Sequence, residues 1–177
     1  MIQRYFLGGN SCQGFLSLYD GFPPDPEAFL HIIKGGPGTG KSSFMRRIAR
    51  RAAERGLDVQ LVLCSGDPDS LDGVYLPALR AAWVDGTAPH TVDARHFGVD
   101  SDYVNLGRFC RTPLSEEDGS RVRRLTEEYR ACYEQAYETL RRAKELHDEL
   151  EAVYRPYMDF AALDAYTDET LRKLFPD

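Results

Sequence analysis

A glycine-rich run that ends in lysine and serine is the part of this chain whose residue types and spacing best suit chemistry. Residues 35–43 read GGPGTGKSS. They match the pattern GxxxxGK followed by Ser or Thr, whose fixed positions are Gly35, Gly40, Lys41 and Ser42. Glycines lack the Cβ atoms that would hold an anion away, so successive backbone N–H groups can surround a phosphate at a helix N-terminus. The pattern therefore predicts a phosphate-binding loop.

The residues of this loop have expected roles in holding a nucleoside triphosphate. Lys41 is expected to reach the β- and γ-phosphates, and the Ser42 hydroxyl is expected to bind Mg²⁺, which bridges phosphate oxygens. The pattern specifies phosphate binding and not a reaction. We therefore predict ATP, or another nucleoside triphosphate, and Mg²⁺ as ligands. The predicted nucleotide-binding residues are Gly36, Pro37, Gly38, Thr39, Gly40, Lys41, Ser42 and Ser43.

A carboxylate near Mg²⁺ is the second requirement of such a site. The apolar run 81–84 ends at Asp85, and nucleoside triphosphatases of this class place a metal-binding carboxylate after such a strand. We therefore predict Asp85 as a metal ligand, together with Ser42, and as a catalytic residue. Gly86 follows Asp85, so the glutamate that polarises water in motor-type ATPases is missing. Fast hydrolysis by that route is not expected.

Further catalytic candidates follow the neighbouring predicted strand. Residues 64–73 include Asp67, Asp69 and Asp72, and ligands of open α/β sheets bind beyond the carboxyl ends of the strands. These carboxylates can bind Mg²⁺, orient water or accept a proton from a substrate hydroxyl, although Asp is also a common turn former. His90 is a candidate phosphate sensor or proton relay. The predicted catalytic residues are thus Lys41, Asp85, Asp67, Asp72 and His90.

Short hydrophobic segments predict the sheet that positions these residues. Residues 29–34 predict a buried strand before the loop, residues 42–55 a helix after it, and residues 57–63 the next strand. The runs 4–7 and 14–19 predict an N-terminal strand pair. We expect an α/β fold of the P-loop NTPase type, with a parallel sheet, flanking helices, the strand pair and a long C-terminal helical appendage.

The strand signal weakens after Asp85, whereas a sheet of this class usually has about five strands. Either the N-terminal pair joins the sheet or a second subunit completes it. The predicted organisation is a nucleotide-binding core over residues 1–113, whose residues 1–22 form the strand pair. A helical appendage over residues 114–177 is packed on the core or protrudes from it.

One long amphipathic helix is predicted from Ser115, its N-cap, to Tyr154. Apolar residues recur at steps of three and four, at positions 122, 125, 129, 132, 136, 140, 143, 146, 150 and 153. Unbroken, this helix spans roughly 60 Å at 1.5 Å per residue, so it must protrude, bend or pack on a partner. Residues 164–175 predict a terminal helix capped by Thr167. We expect the long helix to contact a second copy or a partner protein.

Composition and charge exclude several classes of protein. A net charge of -6 and a pI near 5.3 give no global electrostatic reason for nucleic-acid binding. The four cysteines are far apart and lack CxxC spacing, which argues against a zinc site or a disulfide framework. The N-terminus lacks the apolar stretch of a signal peptide, and no segment reaches the length of a membrane span. We expect a soluble, cytoplasmic protein without a membrane partner.

Several other strings are similar to those of one family. Residues 6–15 (FLGGNSCQGF), 70–74 (SLDGV), 84–90 (VDGTAPH) and 105–107 (NLG), together with the loop, resemble a family of bacterial P-loop ATPase-like proteins. The resemblance covers residues 4–110. Longer members carry two P-loop halves, and this chain resembles the N-terminal half alone. The resemblance implies ATP binding and hydrolysis, and it names no substrate. Because this chain matches one half alone, we expect a homodimer that mimics the two halves.

Three functions remain open at this point. The first is a slow or partner-stimulated ATPase, with Ser42 and Asp85 on Mg²⁺. Its nucleophile would be positioned by an Asp of residues 67–72 or by His90. The second is a small-molecule or nucleotide kinase, favoured by the missing glutamate and by the arginines of residues 95–124, which can close over phosphates. The third is a non-catalytic ATP-sensing module, in which the nucleotide shifts the long helix between two arrangements.

Overall fold

The computed structural model describes residues 1–88 and 91–176 of the chain. They form a mixed α/β fold with a six-stranded, mostly parallel sheet and a long C-terminal helix. The strands are β1 (Ile2–Tyr5), β2 (Gly8–Ser11), β3 (Gly14–Ser17), β4 (Phe29–Lys34), β5 (Val59–Leu63), β6 (Leu71–Leu76), β7 (Ala81–Asp85) and β8 (Ser101–Asn105). The helices are α1 (Lys41–Glu54), α2 (Glu116–Tyr154) and α3 (Phe160–Leu174).

The strand order of the large sheet is β1-β5-β6-β7-β4-β8. Strand β6 runs antiparallel to both of its neighbours, and the other adjacent strands are parallel. Strand β4, which precedes the glycine loop, lies between β7 and β8, and its Ile33 is opposite Asp85 of β7. The carboxyl ends of β4 and β7 therefore meet at one edge of the sheet, where the glycine loop begins.

The N-terminal strands pair differently from the prediction. Strand β1 joins the large sheet beside β5, whereas β2 and β3 form a separate antiparallel hairpin. A strand pair is present within residues 1–22 as predicted, but its first strand is Gly8–Ser11 and not run 4–7. The hairpin closes at a turn in which the Ser11 hydroxyl accepts from Gln13 N and donates to Gly14 O. Gly14 has a φ of 99°, which favours glycine and allows this tight turn.

Strands β6 and β8 were not predicted. The β6 residues are all buried, yet the strand contains Asp72 and Gly73, which are typical turn residues. Strand β8 is an edge strand of the sheet, and after the buried Ser101 half-buried and exposed residues alternate along it. With β1, β6 and β8 the sheet has six strands within one chain, so it does not need a second subunit to complete it.

Two hydrophobic clusters cover the two faces of the sheet. Ile32 of β4 belongs to the cluster formed with Tyr19 and Phe22 of the N-terminal segment. Its neighbour Ile33 belongs to the other cluster, which includes Met45 of α1. Side chains of successive strand residues point to opposite faces. The strand that precedes the glycine loop is thus packed against α1 on one face of the sheet and against the N-terminal segment on the other.

Replacement of Ile32 by alanine is expected to lower the free energy of unfolding by about 2–5 kcal/mol, because Ile32 is 0% exposed and its loss leaves a cavity. Urea denaturation followed by circular dichroism measures this change. Val153→Ala is the control, since Val153 is 63% exposed and its replacement should change stability by less than about 0.5 kcal/mol. A comparable loss for both variants would contradict the assignment of the core.

The C-terminal helices agree in part with the prediction. The N-cap Ser115 is confirmed, because its side chain accepts from Asp118 N, and α2 ends at Tyr154. Helix α3 instead begins at Phe160, and Asp159 is its N-cap; the predicted cap Thr167 lies inside the helix. The hydroxyl of Thr167 donates to the backbone carbonyl of Leu163 one turn earlier, so it does not act as an N-cap.

The long helix is exposed along its length. None of the described residues of α2 is buried, and among its few contacts with the rest of the fold, Tyr137 OH donates to Asn10 Oδ1 at 2.9 Å. Val122 and Leu150 of the apolar stripe are 50% and 54% exposed. The predicted contact of this stripe with a second copy or a partner protein stays a prediction. Within residues 1–88 and 91–176, no helix combines the length and the apolar character needed to cross a membrane.

Candidate functional site

The glycine loop connects the end of β4 to the start of α1. Gly38 and Gly40 have φ angles of 74° and 88°, a region that residues with a Cβ rarely adopt. A Cβ built on Gly36, Gly38 or Gly40 would meet no atom within 4 Å. The loop backbone therefore borders open space, and its conformation rather than crowding requires glycine. Gly40 is also the N-cap of α1, so the first N–H groups of the helix open toward the same space.

The side chain of Lys41 folds back over this loop. Its Nζ donates to Gly35 O at 2.8 Å and to Gly36 O at 3.1 Å. Thr39 closes the loop from the other side, because its Oγ1 donates to Gly36 O at 2.8 Å. The ammonium group is thus held at the loop by two carbonyl oxygens, which phosphate oxygens can replace.

Asp85 places a carboxylate next to the same ammonium group. Its Oδ2 lies 3.5 Å from Lys41 Nζ, and both side chains are only 12% exposed. Its Oδ1 accepts hydrogen bonds from Thr87 N at 2.9 Å and Thr87 Oγ1 at 2.5 Å. Thr87 therefore orients the carboxylate, a role that the sequence analysis missed. The signal was present, since an Asp commonly accepts from the N–H two residues later in a turn.

The Ser42 hydroxyl joins the start of α1 to the start of β6. It accepts from Leu71 N at 2.9 Å and from Arg46 Nη2 at 3.3 Å. Arg46 also donates to the backbone oxygen of Asp69. The hydroxyl predicted to bind Mg²⁺ thus lies beside residues 69–71, directly before Asp72.

A β-bulge positions Asp72. Val62 of β5 pairs with Gly73, and the next residue, Leu63, pairs with Leu71, which leaves Asp72 as the extra residue of β6. Bulges change the direction of a side chain and are common beside active sites. Asp72 is 6% exposed, although it is charged. Buried carboxylates need polar partners, so this position is costly unless the carboxylate has one.

Tyr19 is a partner of Asp72. Its hydroxyl donates to Asp72 Oδ2 at 3.0 Å. Burial raises the pKa of Tyr19, and the negative charges of Asp72 and Asp85 raise it further, so the phenol stays a donor. Gly73 of β6 pairs with Val84 of the antiparallel strand β7, so the residues that follow this pair at the same end of the two strands are Asp72 and Asp85. Two buried carboxylates thus lie at the edge of the sheet where Lys41 is. The residues next to Tyr19 in the sequence gave no indication that Tyr19 contacts one of them.

The remaining predicted residues are placed less centrally. Asp67 is exposed and forms a turn, because its Oδ1 accepts from Asp69 N at 3.2 Å and its Oδ2 from Ser70 Oγ at 2.7 Å. These contacts favour the interpretation of Asp67 as a turn residue. Pro37 and Ser43 are exposed in the loop and in the first turn of α1. His90 lies outside the described residues.

These groups fit a phosphate chain and a hard divalent cation. The open backbone of the loop, the first N–H groups of α1 and the ammonium group of Lys41 can bind anionic oxygens. The hydroxyl of Ser42 and the carboxylate of Asp85 are oxygen ligands of the kind that Mg²⁺ prefers. The arrangement can therefore hold both ligands at one edge of the sheet.

Comparison with known proteins does not narrow the function of this site. The chain matches no family model, no curated protein and no solved structure. The resemblance of residues 4–110 to bacterial P-loop ATPase-like proteins stays a prediction.

Proposed function

We propose that this protein is a P-loop nucleoside triphosphatase that binds Mg-ATP at residues 35–43 and hydrolyses it slowly or under stimulation by a partner. The observation that carries the proposal is the position of Lys41 Nζ. It lies within 3.1 Å of two loop carbonyl oxygens and 3.5 Å from Asp85 Oδ2. One cation thus links the predicted phosphate loop to the predicted metal carboxylate.

In this proposal the chain holds the triphosphate with its backbone and one lysine. The N–H groups of residues 36–43 bind phosphate oxygens, and Lys41 exchanges its bonds to Gly35 O and Gly36 O for bonds to the terminal phosphates. Ser42 and Asp85 would hold Mg²⁺, which supplies positive charge to the phosphate oxygens. Because these contacts are made to the phosphates and not to the base, another nucleoside triphosphate can bind to this loop in the same way.

Asp72 is the residue that we assign to the attacking water. Its carboxylate is buried and oriented by Tyr19, and it lies on the strand next to that of Asp85. A carboxylate so placed can orient water and accept its proton. Gly86 follows Asp85, so the position from which a glutamate polarises water in fast ATPases carries no carboxylate, and Asp72 acts on the water from the neighbouring strand instead. Slow basal turnover is the consequence.

Mg-ATP is expected to stabilise the fold, because a ligand that binds only the folded state shifts the unfolding equilibrium. At a free concentration of 100 times its dissociation constant, the gain is about 2.7 kcal/mol. Urea unfolding in Mg-ATP, in ATP with a chelator and in Mg-AMP measures it. Mg-ATP should stabilise most and AMP least, since AMP lacks the β- and γ-phosphates. Equal curves with and without millimolar Mg-ATP would contradict nucleotide binding.

A further inference from the structure

A cavity of about 240 Å³, lined in part by Asp72, lies at the same edge of the sheet as the glycine loop. Four separate parts of the chain form it: the β2–β3 hairpin, residues 64–67 after β5, Asp72 of β6, and α2. Its aromatic walls are Phe15, Tyr129 and Tyr133, and its polar groups include Asn10, Asp67 and Asp72. Because α2 supplies one wall, the exposed helix takes part in a site close to the core.

Asp72 connects this cavity to the proposed nucleotide site. It lines the cavity and is one residue after Leu71, whose N–H donates to Ser42 Oγ at 2.9 Å. Asp72 also lies on β6 next to the position of Asp85 on β7, and Asp85 contacts Lys41. A molecule in the cavity can therefore present a hydroxyl group to Asp72, beside the predicted Mg²⁺ ligands Ser42 and Asp85.

Glycines allow the aromatic walls to come close to the backbone. A Cβ on Gly8 would lie 2.3 Å from the Phe15 ring, and a Cβ on Gly66 would lie 2.8 Å from Tyr133 OH. The rings of Tyr129 and Tyr133 have centroids 4.8 Å apart at an interplanar angle of 52°. The hydrogen bond with Tyr133, followed by burial, raises the pKa of Tyr129 to about 12. The walls thus present neutral rings and hydroxyl groups at neutral pH.

The charge of the cavity restricts what can bind in it. Asp67 and Asp72 are carboxylates, and none of the described residues that line the cavity is lysine or arginine. Aromatic faces and carboxylates attract cations, including quaternary ammonium groups. A phosphorylated acceptor would meet only negative charge, so the cavity disfavours a nucleoside monophosphate. Its volume is also below the roughly 300–1,000 Å³ of pockets for drug-sized ligands, so the ligand is small.

We propose that this cavity is a phosphoryl-acceptor site for a small alcohol that carries an ammonium group. This inference rests on the proposed nucleotide site and makes the protein a small-molecule kinase whose hydrolysis is a side reaction. The acceptor's ammonium group lies against Asp67 and the tyrosine rings, and its hydroxyl group faces Asp72.

The transfer step uses groups already described. The acceptor's hydroxyl oxygen attacks the γ-phosphorus of ATP and forms a new P–O bond, while the bond from that phosphorus to the β,γ-bridging oxygen breaks. ADP leaves with that electron pair, and the hydroxyl proton passes to the Asp72 carboxylate, which later releases it to solvent. Tyr19, which donates to Asp72 Oδ2, keeps the carboxylate oriented during the step.

The test measures ADP release by the full chain in Mg-ATP with ethanolamine or choline added. Phosphorus NMR identifies the phosphate ester. Two matched probes are 3,3-dimethylbutan-1-ol, the uncharged counterpart of choline, and AMP, an anionic acceptor. We expect at least one amine to raise ADP release by about tenfold or more and to yield its ester, and neither matched probe to do so. No increase with either amine, or a larger one with AMP or the uncharged alcohol, would overturn the proposal.

Nucleotide binding measured in the same samples separates the two proposals. If Mg-ATP binds and turns over but neither amine changes the rate, the acceptor inference alone fails. If Mg-ATP does not bind, the proposed function fails, and the acceptor inference fails with it.

Variants of the cavity locate the ammonium group. Asp67→Asn keeps the shape of the side chain and an oxygen for the turn, but it removes the charge, so KM for the active amine should rise by about tenfold. Asp69→Asn is the control, because Asp69 lies in the same turn and does not line the cavity. Tyr129→Ala should also raise this KM, whereas Tyr129→Phe, which keeps the ring, should not. Equal effects of Asp67→Asn and Asp69→Asn would contradict the placement.

Discussion

Replacing Lys41 by alanine is expected to lower kcat/KM for Mg-ATP by about 100- to 1,000-fold. This is the effect expected when one preorganised hydrogen-bond donor, which stabilises the negative charge of the transition state, is lost. The ammonium group donates to two loop carbonyl oxygens and lies 3.5 Å from Asp85, so its removal affects both the loop and this carboxylate. ADP release under multiple-turnover conditions, with ATP binding measured by calorimetry, gives the result.

Two further variants make this experiment specific. Lys173→Ala removes an exposed lysine of α3, whose side chain is 72% exposed and paired with Glu169, and it should leave turnover unchanged. Lys41→Arg keeps the charge but not the compact ammonium group, and we expect it to restore little activity. Wild-type turnover in Lys41→Ala, in a sample whose urea unfolding shows an intact fold, would contradict the proposed role of the loop.

Asp85→Asn is expected to reduce Mg-dependent turnover by about 100-fold or more and to raise the Mg²⁺ concentration required for half-maximal activity. Asparagine keeps an oxygen that can accept from Thr87, so the local turn should persist. The neutral amide is a poorer ligand for Mg²⁺, and it removes the partner carboxylate of Lys41. A magnesium titration of ADP release measures both effects.

Asp72→Asn separates metal binding from proton transfer. We assign Asp72 to the nucleophile, so this variant should lower kcat while the magnesium requirement stays close to that of the wild type. Asp168→Asn, on exposed α3, is the control for a lost surface carboxylate. If Asp85→Asn showed the wild-type magnesium dependence, the assignment of Asp85 as a metal ligand would be wrong.

Local sequence was sufficient to predict the elements around the loop. Strand β4 occupies residues 29–34 as predicted, and α1 begins within one residue of the predicted start. A continuous apolar run, four glycines and a following amphipathic segment specify strand, loop and helix without help from distant residues. The N-cap of α2 was predictable for the same reason, since Ser115 bonds to a backbone N–H three residues later.

Strand pairing and side-chain direction were not predictable in this way. Strand β6 has a buried Asp72 and a glycine, which read as a turn in isolation, and it becomes a strand because β5 and β7 pair with it on both sides. Strand β8 is short and polar, and its pairing with β4 defines it. Hydrogen bonds to neighbouring strands outweigh weak local preferences at such positions.

The sequence by itself determined the glycine loop, its flanking strand and helix, and the identities of Lys41, Ser42 and Asp85 as candidates. Only the tertiary structure decided which carboxylate stands next to Asp85, because the bulge at Asp72 and the hydrogen bond from Tyr19 join residues that are 53 positions apart. It also decided that α2 forms a wall of the cavity beside Asp72. Spacing along the chain specifies local backbone geometry, whereas a site built from several segments depends on how those segments pack.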